Sequence, residues 1–258
     1  MNAADTPTAA GKAILSARGL TRRWGGVVAV NDVSIDVLRG EIHALIGTNG
    51  AGKSTLVNVL SGEVPASSGR VELEGRDVTH WPQPRRARAG LGRSYQRTTI
   101  FAPFSVLENC RLAAQARFQH PWRWMSPASA CGESGEAARA AASRAGLGHA
   151  LDREAGLLSH GEKRQLEIAM CLAGEPRVLL LDEPLAGMGA DESERMLGLL
   201  ASLREGHAIL LVEHDMDAVF RIAGRITVLV DGAVVASGMP ADVRDNPAVQ
   251  TAYLGGAG

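Results

Sequence analysis

The chain has 258 residues, 45% hydrophobic and 21% charged, with a formal net charge of -1. That length and balance fit one large α/β unit or two small ones, and they argue against a general nucleic-acid binder, which would carry a basic excess. Three cysteines, Cys110, Cys131 and Cys171, lie far apart without CxxC spacing, which excludes a disulfide framework or a zinc site and fits a reducing cytosol.

The N-terminal MNAADTPTAAGKAIL lacks a basic stretch followed by an apolar core, so no secretory signal is expected. No apolar run reaches the ~18 residues that a membrane span needs. Residues 1–12 read as a loose polar tail. Short β-type runs follow, VVAV at 27–30 and VSIDV at 33–37, the second with one face apolar. EIHALIG (41–47) predicts a strand running into a glycine loop, and GKSTLVNVL (52–60) a helix. GRVELEGRDV (69–78) predicts two short strands around a Glu-Gly turn. The Arg-rich PRRARAGLGR (84–93) reads either as a solvated helix face or as a phosphate-binding patch.

From about residue 98 to 160 the β-type runs vanish. SVLE (105–108) has the Ser-x-x-Glu pattern of a helix start, and SGEAARAAASRAGLG (134–148) is a helix ending at glycine. QHPWRWMSP interrupts between them, and the stretch reads as an inserted helical subdomain. Alternation of β and α then resumes. RVLLLDEP (177–184) and HAILLVEH (207–214) predict buried parallel strands, with an amphipathic helix at 191–205 between them. RITVLV and GAVVAS (225–237) predict a hairpin about Asp231-Gly232, followed by a helical tail broken at Pro247.

GTNGAGKST (47–55) carries the first chemistry. Glycines at 47, 50 and 52 let the backbone curl so that the amides of Thr48, Asn49, Ala51 and their neighbours can face an anion. The helix start adds positive potential. Lys53 is suited to the β/γ-phosphates and the Ser54 hydroxyl, with Thr55 beside it, to Mg²⁺. LLLDE (179–183) then supplies the acids such a loop needs: Asp182 for the metal, Glu183 to orient and deprotonate an attacking water. Gln96 is either a ligand of metal or water or a surface amide. His214 is either a structural histidine or a γ-phosphate donor at the ligand-binding sheet edge. Trp24 either stacks on adenine or fills the core.

LLSHGEKRQLEIAM (157–170) forms a compact Ser159-His160-Gly161 turn and a second helix start able to hold an anion. One arrangement uses both anion sites: a head-to-tail pair burying two ATP molecules, each between one subunit's phosphate loop and the other's Ser-Gly turn.

With these residues in order, the chain resembles the nucleotide-binding subunit of an ABC transporter: aromatic loop (Trp24), Walker A (47–55), glutamine loop (Gln96), signature (158–162), Walker B (178–183) and histidine loop (His214). The resemblance runs from about residue 14 to 254. It implies an α/β P-loop NTPase (RecA-like) core with an antiparallel β subdomain and an inserted helical subdomain. The implied division is core with β subdomain at 13–96, helical subdomain at 97–161, core again at 162–237 and a helical tail at 238–258. TRRWGGVVAVNDVS, LSHGEKRQLEIAM, DEPLAGM, VEHDM and NPAVQTAYLG are similar to the ATPases of branched-chain amino acid importers; urea-type importers and the lipopolysaccharide-export ATPase share much of the pattern. The resemblance implies ATP and Mg²⁺ as cofactors. It also implies ATP hydrolysis in a homodimer or a heterodimer with a sister ATPase, under two permease subunits at the cytoplasmic face of a bacterial inner membrane. An extracytoplasmic binding protein acts indirectly, and no nucleic acid is involved.

Two departures stand out. The common signature is LSGGQ, and here it is LSHGE; the family's D-loop carries Asp or Asn where this chain has Gly189. The resemblance assigns Ser159 and Gly161 to the partner's ATP and leaves Glu162 and Gly189 open. A soluble ABC ATPase acting on DNA or ribosomes would carry coiled-coil inserts or tandem cassettes, which are missing here. A non-hydrolysing regulatory subunit would not need Glu183.

Overall fold

The computed structural model describes residues 13–96, 99–118 and 132–254. The expected tail at 1–12, the QHPWRWMSP interruption and Cys131 lie outside those residues.

Two strands of twelve residues each, β1 (Ala13–Trp24) and β2 (Val27–Leu38), open the chain as one hairpin. Gly25-Gly26 forms its two-residue turn, with Gly25 at φ 57°, a conformation glycine adopts freely. The two separate runs expected at 27–30 and 33–37 are therefore one strand. The polar Asn31-Asp32 step between them is a bulge: Asp32 takes φ 52°, and its amide donates to Thr21 Oγ1 at 3.1 Å. β4 (Ser68–Leu73) and β5 (Arg76–Asp77) complete an antiparallel sheet in the order β2-β1-β4-β5.

The second sheet has six strands. It contains β3 (Ile42–Gly47), β6 (Leu91–Arg93), β7 (Val178–Asp182), β8 (Ala208–Val212), β9 (Arg225–Val230) and β10 (Ala233–Gly238), in the order β10-β9-β3-β8-β7-β6. All pairs are parallel except the β9-β10 hairpin, whose Asp231-Gly232 turn has both residues at positive φ. Every residue of β3, β7 and β8 is buried, as a parallel sheet covered on both faces requires.

Side-chain alternation assigns the two faces. Val178 and Leu180 of β7 pack with Leu210 of β8, with α1 (Lys53–Ser61) and with the antiparallel sheet. Leu179 and Leu181 point the other way. They pack with Ile209 and Leu211 against α5 (His160–Ala173) and α6 (Ala190–Leu203), and that core continues into α3 (Val106–Phe118) and α4 (Gly132–Arg144). α7 (Met216–Ile222), α8 (Pro240–Arg244) and α9 (Pro247–Leu254) close the end of the chain, with the break at Pro247. The start of α3 is half of the expected capping pattern: Ser105 Oγ accepts from the Glu108 amide, while the Glu108 carboxylate turns to Arg111. No described helix is long and apolar enough to cross a membrane.

Neither reading of the Arg-rich segment holds for Arg86 in α2 (Gln83–Arg88). It is 1% exposed and bonds four carbonyls: Val59 (2.8 Å) and Leu60 (2.6 Å) at the end of α1, Thr79 (2.9 Å) and Trp81 (3.1 Å). The guanidinium gathers two carbonyls from the end of α1 and two more from Thr79 and Trp81, and the positive charge suits the negative end of the helix. Truncating Arg86 strands those acceptors inside the protein. Arg86→Ala is expected to lower unfolding free energy by about 3 kcal/mol or more. Urea denaturation checks this, and a change under about 1 kcal/mol, the scale of a solvated surface side chain, would return Arg86 to the surface.

Candidate functional site

The carboxyl ends of β3, β7 and β8 lie side by side, since Asp182 pairs with Val212 and Leu45 with Val212 across the two ladders. The predicted phosphate loop, both acids and His214 therefore reach one edge, where parallel α/β sheets bind ligands.

The loop from Gly47 to Gly52 enters α1 without a cap. Gly52 is the N-cap residue at φ 99°, no side chain caps the amides, and no acid lies in the first turn. Four backbone donors and the helix dipole are thus left to an anion. Gly52 is obligatory on geometry, because a Cβ there would stand 2.3 Å from the Ala29 carbonyl oxygen. β2 and the β9-β10 turn brace the loop from outside: the Asn31 amide donates to Gly232 O at 2.8 Å, and the Gly232 amide to Ala51 O at 3.0 Å. Thr48, Asn49, Gly50 and Ser54 are exposed along the rim, with Thr55 half-buried. Lys53 is buried and folds back, its Nζ donating to Gly47 O (2.7 Å) and Thr48 O (3.0 Å). Burial lowers its pKa, while the carboxylates of Glu183 and Asp182 act in the opposite sense.

Asp182 ends β7 at 4% exposure, and its Oδ1 has no hydrogen-bond partner. Burial raises its pKa, and the neighbouring Glu183 raises it further. A buried carboxylate oxygen without a donor is costly unless a cation satisfies it. Among the described residues no group of three or more His, Cys, Asp or Glu could hold a metal. That donor set fits a cation bound by one carboxylate and a hydroxyl together with substrate phosphates, the habit of Mg²⁺.

Glu183 follows with φ 50°, a left-handed conformation that costs about 1–3 kcal/mol for a non-glycine residue. Its amide donates to Val212 O at 2.9 Å, which ties the turn after β7 to β8. Gln96 Nε2 donates to Glu183 Oε2 at 3.2 Å, so Gln96 is more than a solvated amide. The segment around Gln96 is held by α5. Arg164 Nη2 donates to Gln96 O at 3.3 Å and pairs with Glu167 at 2.9 Å, and Glu167 Oε1 accepts from the Thr99 amide at 3.2 Å. His214 projects at the same edge with its side chain 63% exposed, which removes the buried structural reading. Trp24 is 51% exposed beneath the Arg22 guanidinium, 3.8 Å from its ring centroid, so it does not fill the core.

Ser159 is the N-cap of α5. Its hydroxyl accepts from the Glu162 amide (3.2 Å), and Glu162 Oε2 accepts from the Ser159 amide (2.8 Å), a complete capping box. Arg153 pairs with the other oxygen of Glu162. These bonds lower the Glu162 pKa against the opposing effect of its burial. His160 Nε2 donates to Ala186 O at 3.1 Å, and the Gly161 amide to Glu192 Oε1 at 3.2 Å. The turn therefore bonds to the segment after β7 and to α6 of its own chain, away from the phosphate loop. Gly189 caps α6 in an extended conformation, φ -73°, and a Cβ there would meet nothing within 4 Å.

A family profile described as "ABC transporter" matches residues 30–186, more than half of the chain. The chain belongs to the ABC transporter family. It is the ATP-binding, ATPase component of that family. A second profile, "Branched-chain amino acid ATP-binding cassette transporter", matches residues 233–258. The chain is 38% identical over 252 residues to the "High-affinity branched-chain amino acid transport ATP-binding protein BraF" of Pseudomonas aeruginosa, covering 95% of this chain and 98% of that protein. It is 38% identical over 251 residues to the LivG protein of the same description from Escherichia coli, covering 95% and 98%. Among solved structures it is similar to a nucleotide-free ATP-binding cassette from an ABC transporter, with TM-score 0.84, 28% identity and coverage of 94% and 99%. The ADP conformation of MJ1267, an ATP-binding cassette of an ABC transporter, has TM-score 0.84, 29% identity and coverage of 95% and 99%.

A further residue of this cassette escaped the sequence reading. Glu213, between the buried strand β8 and His214, is fully buried. Its Oε1 accepts from the Leu185 amide at 2.8 Å and its Oε2 from the His214 amide at 3.2 Å, and burial raises its pKa. One carboxyl group thus ties the turn carrying Glu183 to the turn carrying His214. An acid directly after an apolar strand in LLVEHDM was the available signal. Glu213→Ala is expected to lower kcat on the order of 10- to 100-fold with nucleotide affinity retained, because the loss is one of positioning. Steady-state kinetics with a separate binding titration checks this, and an unchanged kcat would reduce Glu213 to a packing role.

Proposed function

We propose that this ATPase powers an importer of branched-chain or related amino acids, docked under two permease subunits at the cytoplasmic face of a bacterial inner membrane. It works as a homodimer or with a sister ATPase, served indirectly by an extracytoplasmic binding protein. The observation that carries the ATPase site is the orphaned Asp182 Oδ1 beside an uncapped phosphate loop and the Gln96-held Glu183. The amino acid substrate is supported by the match over residues 233–258 and by the names of BraF and LivG.

In this reading the amides from Gly47 to Thr55 and Lys53 hold the phosphates, and Trp24 offers its ring to adenine. Asp182, Ser54 and Gln96 would hold Mg²⁺, which would supply charge neutralisation to the phosphates. Glu183 orients the attacking water and accepts its proton; His214 donates to the γ-phosphate. Ser159 and Gly161 come from the second copy, because within one chain their turn faces its own α6. The uncapped start of α1 from one copy and the start of α5 from the other then share each nucleotide, and loss of the γ-phosphate removes their common ligand. Phe101 and Phe104, exposed and stacked with centroids 5.7 Å apart, sit just after the Gln96 segment and suit a contact between the helical subdomain (97–161) and permease loops.

Glu183→Gln is expected to keep ATP binding, cut hydrolysis by roughly 100-fold or more and trap an ATP-bound dimer. Near-normal turnover in that variant would remove Glu183 as the base. A gentle detergent pull-down from native membranes with mass spectrometry tests the transport role. Two importer-type permeases are expected; lipid-export partners would contradict amino acid import.

A further inference from the structure

Several polar groups in the first turn of α5 are already bonded. Ser159 and Glu162 satisfy each other, Arg153 takes the remaining oxygen of Glu162, and the His160 ring is bonded to Ala186. The remaining amide of interest, that of Gly161, is held by a carboxylate from another element. Glu192, in the first turn of α6, accepts from it at 3.2 Å. The contact is close: a Cβ on Gly161 would stand 2.7 Å from Glu192 Oε1 and 2.9 Å from its Cδ. Ser159, Gly161, Glu162 and Glu192 line one small cavity here, of about 50 Å³, with Met188 and Arg195.

A carboxylate over a helix N-terminus is favourable by itself. Here, however, the helix already carries a full capping box, so the extra anion is not needed to finish the turn. It occupies the donor that the two-copy reading gives to the γ-phosphate of the partner's ATP. A carboxylate and a phosphate oxygen compete for the same N–H and repel each other. Arg153 pairs with Glu162, and Glu192, with Arg195 on the same cavity wall, is the carboxylate bonded to the Gly161 amide.

We infer that Glu192 is an internal stand-in for the γ-phosphate: it holds the Gly161 amide in the separated subunit and must swing away before the ATP dimer closes. The inference rests on the two-copy reading above. Glu192 has somewhere to go, because it lies in the first turn of α6 and can retreat to the N-terminus of its own helix. The exchange makes closure depend on the third phosphate. ADP has nothing to displace the carboxylate, so Glu192 recaptures Gly161 after hydrolysis and helps the dimer open. A differential contact of this kind shifts a population between two states.

The test uses the full chain in a Glu183→Gln background with ATP and Mg²⁺. Sedimentation velocity over a range of protein concentrations gives the dimer dissociation constant with and without Glu192→Gln, an isosteric change that preserves packing. The expected result is a dissociation constant about three- to tenfold lower in Glu192→Gln, with ATP affinity of the dilute subunit unchanged. Glu192→Ala should move it the same way. A dissociation constant equal to or higher than the parent's in both variants makes Glu192 a structural tie and overturns the inference while leaving the two-copy reading intact. No ATP-dependent dimer in the parent overturns the two-copy reading and the inference with it.

Discussion

The open N-terminus of α1 is the constraint on which the rest of the site depends. Gly52 can neither carry a Cβ nor leave its left-handed conformation, because the Ala29 carbonyl closes the space behind it. The helix therefore starts with bare amides and an unopposed dipole. Lys53, Asp182 and Glu183 gather about that pole. Lys53 adds a cation that, without phosphate, can only return to Gly47 and Thr48. Asp182 and Glu183 stand opposite as acids; burial raises the pKa of Asp182, and the neighbouring Glu183 raises it further.

The second level of organisation is how loops at the sheet edge are tied to each other. Glu213 joins the turns of Glu183 and His214, and Arg164 with Glu167 joins the Gln96 segment to α5. His160 and Glu192 join the start of α5 to the turn after β7 and to α6. These short bonded links run from the sheet edge to α5 and to the start of the loop that carries the exposed pair Phe101 and Phe104. The two altered residues of the signature gain physical roles here. His160 spends its ring on Ala186, and Glu162 completes a capping box and is neutralised by Arg153.

Much of this was legible in the sequence where a local rule governed. β3 with its glycine loop, the buried runs of β7 and β8 and the Asp231-Gly232 hairpin follow from periodicity and turn chemistry, which need no partner. The length of β2 was not legible, because a bulge at Asn31-Asp32 reads like a loop until its partner strand is known. Arg86 was hidden for a similar reason: three neighbouring arginines look solvated, and only the arrival of the α1 carboxyl end explains why one is buried. Glu213 and Glu192 act through amides far away in the chain. Contacts of that kind are tertiary, and composition or spacing carries little trace of them.

In the proposed dimer, each hydrolytic site takes its phosphate loop from one copy and its Ser159-Gly161 turn from another. Mixing two inactive variants tests it most directly. Lys53→Ala removes the phosphate-loop cation, and Ser159→Arg blocks the opposing turn. Each alone is expected to hydrolyse ATP at background level, and an equimolar mixture to regain a substantial fraction of wild-type ATPase activity, because mixed pairs contain one intact site. A mixture as inactive as its components would contradict a site shared between copies.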